Sequence, residues 1–434
     1  MTTTAFVDGD ATQSTLLTRY VLANTTDAPL TLDLILAARP FQVNGPRQFL
    51  NRAGGVSAIN ELAFTAGSLA VNGRARLWPS RAPDAFSASR FDSGVAPFAA
   101  QGGQSVRDET GLASGALTYR LTLAPGESRS VAFAAPLTGA EQAQVGDVNA
   151  REQAVAEAWR ARLGAVDIRV PQAGQQIVDT IRSSLAHILM SREGAALKPG
   201  TRSYDRSWIR DGAMIAEGLI RLGAPEEAAA YLRWFAPYQF ENGKVPCCVD
   251  SRGADPTPEN DSHGEFIFLA AEVWRETHDE ALLREVWPRI VAAVDYMDAL
   301  RASEMEKNAS PERRHLYGLM PPSISHEGYS ARPAYSHWDN LWALLGYKEA
   351  VVLAEAMGDE EAARRFAASR DEFRRDLYAS LAAMRAVHGI DFIPGAADLG
   401  DFDATSTTIA LTPGGEGVSL PRAQLEGTFE RYWR

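Results

Sequence analysis

The chain of 434 residues is longer than a single hydrophobic core usually supports, so two domains are expected. Hydrophobic residues at 45% and charged residues at 23% are ordinary globular values and exclude extensive disorder. Forty-three basic against fifty-five acidic residues leave a net charge of -12, which opposes binding to nucleic acid or to an anionic membrane, because no basic excess exists to replace phosphate counterions.

The first residues, MTTTAFVDGD, show no basic segment followed by an apolar one, so no secretion signal is expected and the compartment stays open between cytoplasm and periplasm. No apolar run approaches the length that spans a bilayer. Residues 1–136 alternate in short runs such as STLLTRYVLA and ALTYRLTLAPGESRSVAFAAPL, with Asn-Thr-Thr-Asp and Pro-Gly turn signals between them. This pattern predicts an antiparallel β-sandwich. Residues 137–166 change to an Ala/Glu/Arg-rich composition and predict a helical linker.

From 167 to 434 the strand signal nearly disappears. Apolar stripes at helical spacing occur around 176–191, 208–222, 265–276, 283–301 and 340–357. Three segments repeat one plan, GAPEEAAAYLRWF from Gly223, THDEALLREVWPRI from Thr277 and MGDEEAARRFAASR from Met357. In each, an apolar helix meets a short polar turn and then an acid-led, more amphipathic helix, as suits the helix macrodipole. Such units cannot bury their apolar faces alone, so they must close on one another as an α/α toroid. The long connections 240–262 and 303–337 would then gather at one end of the ring, where loops of that length carry function.

Three polar and aromatic clusters fall at starts of the inner helices. They are RSYDRSWIRDGAM from Arg202, NGKVPCCVDSRGADPTPENDSHGEF from Asn242 and YGLMPPSISHEGYSARPAYSHWDNLW from Tyr317. A structural reading competes in each. Ser262 with Glu265, and Ser336 with Asp339, have the spacing of a capping box. Arg210 and Asp211 suit a structural ion pair at a helix end, although adjacent helical residues point apart and favour separate partners. Glu327 stands in a Pro-rich loop with no helix to cap. Cys247 and Cys248 are adjacent, which disfavours a disulfide, and they read as small buried thiols. The chain holds no HExxH, no Cys-x-x-Cys, no Gly-x-Ser-x-Gly, no Walker loop and no Rossmann glycines, so neither a metal nor a cofactor is expected. Carboxylates interleaved with aromatics remain, a combination suited to glycoside chemistry.

At this point the chain resembles the glucoamylase-like clan of six-hairpin, (α/α)6-barrel glycosidases, which includes glucoamylases, trehalase-like enzymes and inverting disaccharide phosphorylases. SWIRDGAM is similar to the Trp-x-Arg-Asp signature of glucoamylases, which implies that Trp208, Arg210 and Asp211 bind the sugar in subsite -1. HEGYSARPAYSHWDN resembles the maltose-phosphorylase segment in which an acid-Tyr motif precedes an Asp-Asn pair, although Gly328 here separates Glu from Tyr. That match implies Glu327 as general acid, with Asp339 and Asn340 opening the next inner helix. Trehalase-like members place the acid in a Trp-Asp motif and would favour Asp339. The clan's full ring of hairpins needs more helices than this sequence shows, so the toroid and its general base are expected to continue past Arg434.

The expectation is an inverting glycoside hydrolase acting on a glucoside-type oligosaccharide. Glu327 would need partial burial to keep its proton. Tyr204, Asp205, Lys244, Asp261, His263, Glu265, Tyr329 and Trp338 complete the expected substrate-binding set. The alternatives are a phosphorylase on the same scaffold, with Arg202, Arg206 and Lys244 serving an anion, a non-catalytic sugar-binding protein, and an epimerase.

Overall fold

A computed structural model describes residues 1–44, 55–90, 103–139, 141–201 and 204–434. The chain divides into two compact units, Met1–Gly164 and Ala165–Arg434.

The first unit is built from twelve strands among the described residues: β1 (Thr2–Gly9), β2 (Ser14–Ala23), β3 (Leu30–Ala38), β4 (Phe41–Asn44), β5 (Gly55–Ser57), β6 (Glu61–Thr65), β7 (Ser68–Val71), β8 (Arg74–Pro79), β9 (Ala85–Ser89), β10 (Ser105–Arg107), β11 (Ser114–Leu123) and β12 (Ser128–Thr138). One antiparallel sheet runs β1-β2-β12-β8-β7-β6-β10 and a second runs β3-β11-β9. Their inner faces share a core that includes Leu22, Leu34, Leu62, Phe86, Leu117, Tyr119 and Phe133. The period-two pattern explains this packing. Along β11, Tyr119, Leu121 and Leu123 are buried while Arg120 and Thr122 face water. β12 is buried on both faces, with Val131 and Phe133 in the sandwich core and Ala132 and Ala134 against Leu17 and Val145.

The predicted linker helix forms as α1 (Val148–Leu163), capped by the Asp147 carboxylate, which accepts from the backbone N–H groups of Asn149 and Ala150. It packs on the sheet rather than bridging outward. Arg151 Nε donates to Asp8 Oδ2 at 2.6 Å, and Arg19 pairs with Glu152 at 2.5 Å.

Among the described residues, the second unit holds α2 (Gln175–Ser191) and four hairpins. These are α3 (Ile209–Arg221) with α4 (Pro225–Phe235), α5 (Ser262–Thr277) with α6 (Glu280–Met305), α7 (His337–Met357) with α8 (Glu360–His388), and α9 (Ala404–Leu411) with α10 (Arg422–Trp433). The acid-led turns are where the hairpins reverse. Asp279 caps α6 and Asp359 caps α8, and Glu226 and Glu227 lie in the first turn of α4 behind Pro225. α3 packs on α5, α5 on α7 and α7 on α9, so these four form the inner row and their partners the outer one. α5 and α7 approach closely because both are glycine at the crossing. A Cβ on Gly264 would lie 2.0 Å from Trp342 O, and one on Gly346 would lie 2.6 Å from Gly264 Cα. One feature the helical pattern concealed is a small antiparallel sheet, β13 (Ser207–Trp208), β14 (Cys248–Asp250) and β15 (Gly253–Ala254), at the entrance to α3. No helix among the described residues is long and apolar enough to cross a membrane.

Candidate active site

The N-terminal ends of α3, α5 and α7 carry the three clusters singled out in the sequence. Trp208 is fixed first. It pairs with Cys248 in the small sheet, and Ile209 N–H donates to Cys247 O at 2.9 Å. The indole is 4% exposed and packs on the free thiols Cys247 and Cys248. Its Nε1–H donates to Glu327 Oε1 at 3.1 Å, across 119 residues of sequence.

Arg210, one residue into α3, reaches three carboxylates. Nη1 lies 2.7 Å from Glu259 Oε2 and 3.7 Å from Asp261 Oδ2, and Nε lies 3.8 Å from Asp211 Oδ2. Asp261 is fully buried and also accepts from Trp338 Nε1 at 2.8 Å. Burial pushes the Glu259 carboxyl up to about 8, with the Asp261 charge adding to it and Arg210 opposing. Burial likewise raises Asp211, against the pull of Arg210, and the charge of Glu327 adds to that rise. Glu265, one turn into α5, is wholly buried with neither oxygen hydrogen-bonded, and burial followed by the Asp261 charge holds its carboxyl well above the usual range.

Neither capping box forms. The residue preceding α5 is Asp261 rather than Ser262, and Glu265 does not reach back. Ser336 precedes α7 without a side-chain cap, and Asp339 Oδ2 instead accepts from Ser323 Oγ. Asp339 is fully buried, and burial pushes its carboxyl up to about 7, with Asp261 adding and the Ser323 hydroxyl opposing. Asn340 opens α7 by accepting Met320 N–H at 2.9 Å. Glu327 is exposed rather than partly buried, with a left-handed backbone at φ +68°.

The structure therefore joins Trp208, Arg210, Asp211, Asp261, Glu265, Trp338 and Glu327. Tyr329 joins from one side, its hydroxyl donating to Asp401 Oδ2 at 2.8 Å. Tyr204 is 62% exposed with its ring 6.5 Å from that of Trp208. Three expected contacts turn away. His263 is buried, accepts Val245 N–H at 3.2 Å and lies edge-on to Tyr296, so burial holds its imidazole neutral, down at about 3. The Lys244 ammonium donates to the Pro256 carbonyl, and Asp205 accepts from Lys198. Of the basic residues weighed for an anion, Arg206 donates to Asp250 and Asp255 at 2.9 Å each, and Arg202 lies outside the described residues. The Cys247 and Cys248 sulfurs and the Asp255 carboxylate come within 4.8 Å of one another. Asp255 is already committed to Arg206 and to Thr257, so this group is poorly disposed to take an ion.

Two members escaped the sequence reading. Glu259, the nearest partner of Arg210, stands two residues before Asp261 in PENDSHGE, and that acid spacing was the available signal. His326 stacks on Trp338 at 4.9 Å and 12° and lies 3.6 Å from Asp403.

No protein-family model matches the sequence, and no curated protein matches it. Among solved structures, a bacterial glucoamylase complexed with acarbose superposes with a TM-score of 0.53 at 14% identity, over 86% of this chain and 58% of that one. A kojibiose phosphorylase from the human microbiome, itself of putative assignment, aligns at 8% identity and a TM-score of 0.46, over 84% and 53% of the two chains. An α-mannosidase of family GH92 from Bacteroides thetaiotaomicron, in complex with mannoimidazole, aligns at 10% identity and 0.38, over 93% and 51%. The fold is that of the glucoamylase-like six-hairpin glycosidases, a β-sandwich followed by an α/α toroid. The chain spans 58% of the length of the glucoamylase it matches.

Proposed function

We propose that the protein cleaves O-glycosidic bonds of a glucoside-type oligosaccharide with inversion, and that Glu327 is the general acid. The observation that carries this reading is the convergence of Glu327 with Trp208, Arg210 and Asp211 at one end of the inner helices. The indole N–H on Oε1 orients the Glu327 carboxyl, leaving the other oxygen to give its proton to the departing glycosidic oxygen. Trp208, Arg210 and Asp211 hold the sugar of subsite -1 so that binding energy acts at the reacting carbon. The attacking water on the opposite face requires a second carboxylate as base, roughly 6.5–9.5 Å from the acid. Hydrolysis is favoured over phosphorolysis because the Arg206 guanidinium is committed to Asp250 and Asp255.

The test is an NMR time course on α- and β-linked disaccharides, with and without phosphate. Inverted product anomer without a phosphate requirement is expected from the wild type. Glu327→Gln should lower kcat by about 10²–10⁴-fold while leaving sugar binding by calorimetry intact. Unchanged turnover in that variant would remove Glu327 from the reaction.

A further inference from the structure

Glu327 owes its direction to a backbone that a non-glycine residue leaves unless it is held. Ser325 at φ +53° and Glu327 at φ +68° both occupy the left-handed region. The loop carrying them is tied down at its start. Ser323 exchanges backbone hydrogen bonds with Ala334, both at 3.1 Å, and its Oγ accepts Ser325 N–H at 2.7 Å. The same Oγ–H donates to Asp339 Oδ2. Ser325 Oγ is 2.8 Å from Ser336 Oγ, immediately before α7. Ser323, Ser325 and Asp339 are wholly buried, so water cannot replace these bonds.

We propose that Asp339 is the positioning residue for Glu327, acting through the Ser323 hydroxyl to hold Ser325 and Glu327 left-handed and so bring the Glu327 carboxylate onto the Trp208 indole. This rests on Glu327 as the acid and gives Asp339 a task that its burial permits. Asp339 is packed on a rigid inner helix beside Asp261, His326 and Tyr329, whereas Glu327 stands on a long connection. The hydroxyl transmits the helix's order to the loop.

The full chain carrying Ser323→Ala, which deletes only the hydroxyl, should lose about 100-fold in kcat/KM on an alkyl glycoside, whose leaving group needs the acid. It should keep wild-type kcat/KM on the corresponding glycosyl fluoride, whose leaving group does not. Equal losses on both substrates would mean a general structural role and would overturn the proposal. Combined with Ser323→Ala, Asp339→Asn should deepen the loss on the alkyl glycoside by no more than a few-fold, because the hydroxyl through which Asp339 acts is already gone. A further loss as deep as that of Glu327→Gln would make Asp339 the acid and overturn the assignment. If the wild type turns over neither substrate, the hydrolase reading alone has failed, and a crystal structure of Ser323→Ala decides the positioning. Negative φ at residues 325 and 327, with the indole of Trp208 no longer hydrogen-bonded to Glu327, supports it. Retained positive φ with that hydrogen bond intact refutes it.

Discussion

The two units treat charge in opposite ways. In Met1–Gly164 the one buried carboxylate among the described residues is Asp108, and pairs such as Arg120 with Asp33 and Arg81 with Asp84 lie at the surface. In Ala165–Arg434 the interior holds Arg206, Glu259, Asp261, Glu265, Arg301, Asp339 and Glu416. Burial alone does not distinguish a site from a scaffold, because these groups differ in how they are satisfied. Glu416 accepts from Lys348 at 3.0 Å, Arg374 at 2.5 Å and Tyr378 at 2.7 Å, and thereby ties outer helix α8 to the chain beyond α9. The Glu265 carboxyl has no hydrogen bond, and the acids around it share one guanidinium. A fold retains unsatisfied buried acids at a cost to stability, and such groups gather where chemistry needs shifted protons.

The largest effect should come from removing that guanidinium. Arg210→Ala leaves Glu259 and Asp261 buried against each other, and deleting one partner of a buried charge cluster costs about 3–5 kcal/mol. Denaturant unfolding should show it, with a smaller loss at pH 5 than at pH 8 because the orphaned acids can protonate. A loss below that seen for a surface arginine would show that Arg210 does not hold the cluster together.

A smaller effect follows from pH. Asp339, pushed up to about 7, Glu259, up to about 8, and Glu265 retain protons in the folded state that the unfolded chain has released, so they lose stability as pH rises above their unfolded values. His263 and His337, held down at about 3 and about 4, act in the opposite direction but only below their unfolded value of 6.5. Between pH 6.5 and 8 only the acids remain. Stability should therefore fall across that interval, at about 1.4 kcal/mol per retained proton per pH unit. Glu265→Gln should flatten the slope in urea unfolding at the two pH values. A stability that is level or rising in the wild type would contradict the shared origin of these shifts.

The contrast also marks what the sequence made legible. Alternation in β11 and the acid-led turns at Asp279 and Asp359 predicted their elements because each signal is local: a side chain facing a sheet core, or a carboxylate capping its own helix. The three clusters were legible as a group because aromatic and acidic residues crowd where inner helices start. What each acid does there was not legible. Ser262 with Glu265 and Ser336 with Asp339 have capping-box spacing, yet those helix ends are buried among other helices, where the Glu265 carboxyl finds no hydrogen-bond partner and Ser323 takes Asp339. His263 looked like a ligand contact by its neighbours, but the first turn of α5 is buried on all sides and directs it inward to Val245. The two-residue strand at Ser207–Trp208 is too short to leave a periodic trace, although it fixes the indole that meets Glu327.

The smallest effect belongs to the first unit. Arg120 donates from Nε and Nη2 to the two oxygens of Asp33 at 3.0 and 3.1 Å, a bidentate geometry tighter than most contacts of Arg210. That hydrogen bonding lowers the Asp33 carboxyl. Geometry does not decide its worth, because the arginine side chain is 70% exposed and water offers both groups equivalent partners. Asp33→Asn should leave Tm indistinguishable from the wild type at pH 7 and insensitive to added salt. A decrease approaching that of Arg210→Ala would mean that charge is valued by pairing geometry alone, and the division between a water-screened scaffold and a desolvated site would fail at its simplest point.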